Sequence, residues 1–215
     1  MTDKDGLLAD DLNTRDITDP RELRALTHPV RLALLEVLAV QGALTATQAG
    51  ELIGESPTTC SFHFRQLAKY GFVEEAGGGT GRNRPWRRVH LGMNIPGTSQ
   101  DGETAVAADS LTGLFYSRMF ARFEHWHRVK HTYVEEWQEA ASVGEWATYM
   151  TSDELRALAG EIRSLMQPYV KRLVEANLRP EGARLVEVLA ASYPVEFARG
   201  VVDTASDRAE QSGGA

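Results

Sequence analysis

The stretch Thr45-Ala-Thr-Gln-Ala-Gly-Glu-Leu-Ile-Gly-Glu-Ser-Pro-Thr-Thr-Cys-Ser-Phe-His-Phe-Arg-Gln-Leu-Ala-Lys-Tyr-Gly71 decides the fold. Thr45-Ala46-Thr47-Gln48 is a capping box: the Thr45 hydroxyl is placed for the backbone amide of residue 48, and Gln48 can reach back. A short helix therefore opens at Ala46. It runs only to Ile53, because Gly54-Glu55-Ser56-Pro57 joins a helix-ending glycine to a new N-cap serine and an N1 proline. Two helices thus meet across a tight turn, as a helix-turn-helix requires. In the second helix Cys60, Phe64 and Leu67 recur at spacings of 4 and 3, which makes one buried stripe facing Leu44, Ala49 and Ile53.

Working outward, Asp19-Pro20 is an N-cap followed by proline and opens a first helix with Leu23 and Leu26. Pro29 opens a second that carries Val30, Leu32, Leu34, Leu35, Val37 and Leu38 as far as Gln41-Gly42. Beyond Gly71, Phe72-Val73 begins an extended segment and Ala76 to Gly81 is a glycine-rich loop. Pro85-Trp86-Arg87-Arg88-Val89-His90-Leu91 returns as the second strand of a hairpin, with Trp86 packing on the domain.

The run from Leu23 to Leu38, then Leu44 to Ile53, then Ser56 to Val73 and the hairpin resembles the ArsR-like winged helix-turn-helix regulators over residues 20 to 91. The Ser-x-x-Thr-x-Ser-x-His start at Ser56, Leu67, the closing glycine and the wing are all in register. The resemblance implies a transcriptional regulator that sets the helix beginning at Ser56 into the major groove of double-stranded DNA. Short hydroxyls at a helix N-terminus suit that surface, because free amides attract phosphate and small side chains let the axis approach base edges. Ser56, Thr58, Thr59, Ser61, Phe62, His63 and Arg65 are the outward, DNA-facing candidates, with Arg65 ahead of His63. Arg82, Arg84, Arg87 and Arg88 on the wing are the phosphate or minor-groove candidates. Metal-responsive members resembling this family carry a cysteine pair in the helix before, where this chain has Ala46 to Ile53 and no thiolate. Its single cysteine, Cys60, falls on the buried face.

The net charge of −7 is unevenly spread: −4 over residues 1 to 19, +3 over 20 to 95 and −6 over the remainder. The basic middle is what a polyanion meets. No apolar run approaches the roughly 18 residues of a membrane span, and the acidic start lacks the positive charge of a signal peptide, so a cytoplasmic protein without membrane association is expected.

The fold class expected is mainly α with a small β-hairpin wing, a winged helix-turn-helix domain followed by a helical C-terminal domain. Its divisions are a flexible tail over 1–18, the DNA-binding domain over 19–93, a linker over 94–103, a helical domain over 104–202 and a second tail over 203–215. In the helical domain Phe115, Met119, Phe123, Trp126 and Trp137 form an aromatic face suited to a dimer or to a small-molecule effector. Thr151-Ser152-Asp153-Glu154 caps a later helix that Pro168 should kink, and residues 185–190 have the composition of a short strand. One recognition helix covers half a two-fold operator, so a homodimer is expected. Glu124, His127, His131 and Glu135, spaced 3, 4 and 4, would share one helix face and raise the alternative of a metal-dependent enzyme. The zinc-peptidase pattern fails because Arg128 follows His127. A winged helix used as a protein-interaction module is the other alternative. No metal, cofactor or catalytic residue is expected.

Overall fold

The computed structural model describes residues 14–79, 83–90, 92–97 and 99–195. Four helices open the fold: α1 (Pro20–Leu26), α2 (Pro29–Gln41), α3 (Ala46–Ile53) and α4 (Pro57–Lys69). Each begins on a side-chain cap that satisfies an otherwise free amide. Asp19 caps α1, His28 Nδ1 accepts from the Val30 amide to cap α2, Thr45 and Gln48 complete the capping box of α3, and Ser56 caps α4. Three of the four carry proline in the first turn, where its missing amide costs nothing.

The α3–α4 turn depends on two glycines. Gly54 ends α3 in the left-handed region at φ 75°, while Gly50 lies so close to the Glu55 carbonyl that a Cβ there would stand 2.5 Å from its oxygen. Cys60, Phe64 and Leu67 of α4 are fully buried, as their spacing predicts. They join Leu23, Leu26, Leu32, Leu34, Leu35 and Leu38 in one core. Burying each such leucine or phenylalanine contributes roughly 1.5–3 kcal/mol.

The wing is an antiparallel pair, β2 (Val73–Glu75) and β3 (Trp86–Arg88), in the register Val73 to Arg88, Glu74 to Arg87 and Glu75 to Trp86. Gly77 and Gly78 both adopt φ 79° as the chain leaves β2. Trp86 exchanges backbone hydrogen bonds with Leu44, at 2.7 and 2.9 Å, and its ring stacks 5.6 Å from Phe64, so it packs on the domain.

Several boundaries differ from the sequence expectation. β1 (Arg15–Asp16) pairs in parallel with β4 (Met93–Asn94), and Ile17 is fully buried, so residues 14–18 belong to the domain and not to a tail. Ile95, expected in a linker, packs on the core. The long helix α5 (Gly102–Val129) supplies Thr104, Ala107, Ala108 and Leu111 to the same interior. The start of the expected C-terminal domain is thus structurally part of the first.

α5 ends at Val129, a single 3-10 turn covers Lys130–Thr132, and a separate α6 (Glu135–Ala140) follows. Residues 141–150 carry no regular element before α7 (Ser152–Val174), which opens on the expected Thr151–Glu154 capping box and includes Pro168. A 3-10 turn at Ala176–Leu178 completes the regular structure among the described residues. The described residues fall into two compact units, divided after Arg184. In the second, residues 185–190 form exposed coil and not the expected strand, since no neighbouring strand among the described residues pairs with them.

Candidate nucleic-acid interface

The N-terminal turn of α4 is held by Ser56, whose Oγ accepts from the Thr59 amide at 3.0 Å and lies 2.8 Å from Thr59 Oγ1. Thr59 is thereby turned back into the cap and is half-buried, as is Ser61. Thr58 is exposed, and among the described residues no protein group accepts its amide. Phe62, 51% exposed, and Arg65 continue the outward face. Lys69 extends it, so that 58, 62, 65 and 69 recur at spacings of 4, 3 and 4 along one side of the helix. Sequence reasoning overlooked Lys69, although this spacing was there to be read.

His63 is a correction. It was expected to face outward, but it is 7% exposed and its ring lies 4.4 Å from that of His28 at the start of α2. The signal was again in the spacing: residue 63 stands 3 from Cys60 and 4 before Leu67, on the buried side. Burial holds the imidazole below its ordinary pKa. The His28 and Arg31 charges act in the same direction, and Glu55 opposes them. The thiol of Cys60 is pushed up by burial, with the Glu55 charge adding to the shift, as befits a small core side chain.

Residues 26–76 match the helix-turn-helix domain family model. That match ends inside the wing and covers less than half of the chain. A solved structure of a MarR family regulator from Neisseria meningitidis is similar over 66% of this chain and 80% of its own, with 19% identity and a TM-score of 0.30. No curated protein matches the chain. Together with the antiparallel hairpin after α4, the fold is a winged helix-turn-helix.

On the wing the four arginines separate. Arg82 lies outside the described residues. Arg84 is exposed and makes two contacts with Glu75, at 2.9 and 3.1 Å, while Arg87, also exposed, pairs across the strands with Glu74 at 2.7 Å. Exposed pairs of this kind contribute about 1 kcal/mol or less, so a phosphate competes for either arginine at little cost. Arg88 corrects the expectation of an outward side chain: it alternates inward, next to Arg87. Its guanidinium donates to the His90 carbonyl at 2.9 Å and the Leu35 carbonyl at 3.4 Å, tying the wing to α2. Burial lowers its pKa to about 10, against the favourable charge of Glu36.

In the C-terminal half, Phe115 packs against the core and Met119 is half-buried. Phe123 and Trp126 stack at 6.3 Å beside a groove of about 690 Å³ that Lys130, Gln138 and Val143 also line. Trp137 does not continue this face, because it sits on α6 beneath the Arg184 guanidinium at 5.7 Å. The same break at Val129 separates Glu124 and His127 from His131 and Glu135. Among the described residues no three potential metal ligands gather. Among the described residues no helix is long and apolar enough to cross a membrane.

Proposed function

We propose that the chain is a sequence-specific transcriptional regulator of the ArsR-like kind, acting in the cytoplasm as a homodimer on double-stranded DNA. The observation that carries the reading is the exposed stripe Thr58, Phe62, Arg65 and Lys69 on α4, the second helix of the helix-turn-helix, with a free first-turn amide at its start. A methyl, a ring, a fork of donors and a second cation in line match the mixture of base edges and phosphates that a groove presents. Arg84 and Arg87 supply further phosphate contacts from the wing.

The C-terminal helices support the dimer and effector parts of the reading. Tyr116 and Phe120 of α5 and Leu165 and Tyr169 of α7 are exposed apolar side chains of the kind that a second copy covers. The groove beside Phe123 and Trp126 has the volume of a small-molecule site. An effector there would alter the separation of the two recognition helices.

Selection of bound duplexes by the purified full-length chain, at two salt concentrations, tests the proposal. A preferred sequence with two-fold symmetry is expected, bound more weakly at the higher salt; no preferred duplex would overturn it. Sedimentation of free and DNA-bound protein checks the dimer. The protein-interaction alternative predicts no salt-dependent duplex binding and no effect of Arg65→Ala.

A further inference from the structure

We propose that Phe62 reads the 5-methyl group of a thymine in the major groove, which makes one thymine in each half-site a determinant of recognition. The inference rests on the DNA-binding reading above and assigns a specificity to one residue of that site.

Phe62 is the one large apolar side chain in the exposed stripe of α4, with Thr58 one turn before it and Arg65 one turn after. Its ring is not free to fold away. His63 beside it is buried with its ring tilted against that of His28, and the Phe62 and His63 rings meet edge to face at 5.2 Å and 77°, which favours the direction in which Phe62 stands out. A phenyl ring neither donates nor accepts hydrogen bonds, so it gains nothing from a phosphate, a guanine edge or an exocyclic amine. The thymine methyl is the apolar group that unmodified DNA displays in the major groove. Thr58, whose methyl lies on the same stripe, can close over the same base step, while Arg65 and Lys69 hold the flanking polyanion. A protein partner for the ring is disfavoured by the two cations and the free amide along the same line.

The experiment begins with the duplex selected by the full-length chain. Each thymine of a half-site is replaced in turn by deoxyuridine, which removes the methyl and leaves the hydrogen-bonding edge intact. Binding is measured for the native chain and for Phe62→Ala, whose surface position leaves the fold unchanged by circular dichroism. One position per half-site is expected to weaken native binding about fourfold, the worth of one buried methyl. Phe62→Ala is expected to bind the unmodified duplex at least as much more weakly and to be indifferent to deoxyuridine at that position. Native binding that tolerates deoxyuridine everywhere, or a Phe62→Ala variant as sensitive as the native chain, overturns the inference while the DNA-binding reading stands. Failure to bind any duplex overturns both, and a Phe62→Ala chain that binds DNA normally but sediments differently assigns the ring to a protein contact instead.

Discussion

His28 and His63 lie ring against ring, with centroids 4.4 Å apart and planes inclined at 41°, and so join the cap of α2 to the buried side of α4. The contact requires neutral rings. His28 Nδ1 accepts from the Val30 amide at 3.2 Å, a role that a protonated nitrogen cannot fill, and a second positive charge at His63 would face both His28 and Arg31.

This pair predicts acid sensitivity. Burial, with Arg31 adding to it and Glu55 opposing, lowers the His28 pKa from 6.5, and His63 is lowered likewise. Between pH 6.5 and the lower folded values the unfolded chain binds more protons, so stability is complete above that window and declines as the pH falls through it. Thermal melts from pH 8 to pH 5 should show this decline, and His63→Phe should make it shallower; identical slopes would remove the pair from the account.

A second prediction concerns the turn. Gly50→Ala places a Cβ 2.5 Å from the Glu55 carbonyl oxygen, a backbone atom that cannot move without opening the α3–α4 turn. A loss of about 1–3 kcal/mol in denaturant melts is expected, as for other overpacked sites, accompanied by weaker DNA binding. Gly113→Ala, where the added Cβ meets nothing within 4 Å, serves as the control and should not destabilise the chain.

Neighbouring wing arginines should give opposite phenotypes. Arg87→Ala removes an exposed side chain, so melting is expected to change little while the dependence of log affinity on log salt loses about one unit of slope. Arg88→Ala removes the links to the His90 and Leu35 carbonyls, and a loss of about 1–3 kcal/mol of stability is expected. Equal salt slopes for Arg87→Ala and the native chain would exclude Arg87 from the phosphate contacts.

The clamp between α2 and α5 is the fourth test. Glu36 accepts from Arg118 at 2.5 and 3.1 Å and from Arg122 at 3.1 Å. Burial alone would raise its pKa, but the hydrogen bond and charge of Arg118, followed by those of Arg122, hold it below 4.5. The contribution is present above that value and is lost as the pH falls below it. Because the pair is partly solvated, Glu36→Gln should cost about 1 kcal/mol or less, and less still at high salt. Melts of the variant and the native chain at two ionic strengths check this.

The local structure was legible in the residues themselves. A capping box at Thr45, a serine and proline at 56 and 57, and apolar spacings of 3 and 4 act within one or two turns, so α3, α4 and the inward place of Cys60 follow from short-range chemistry. What tertiary structure decided were relations between distant segments. Ile17 is buried because Arg15–Asp16 finds Met93–Asn94, and Leu111 is buried because α5 returns to the first domain. Arg88 is turned inward by the Leu35 carbonyl, and Arg84 and Arg87 face Glu75 and Glu74 only once the hairpin register is set; His63 owes its buried side to its spacing, and tertiary structure supplies only the His28 ring as its neighbour. A polar side chain's direction depends on which partner the fold brings within reach of its nitrogen or oxygen, and such partners stand 53 residues away for Arg88 and 86 for Arg122, beyond any periodicity.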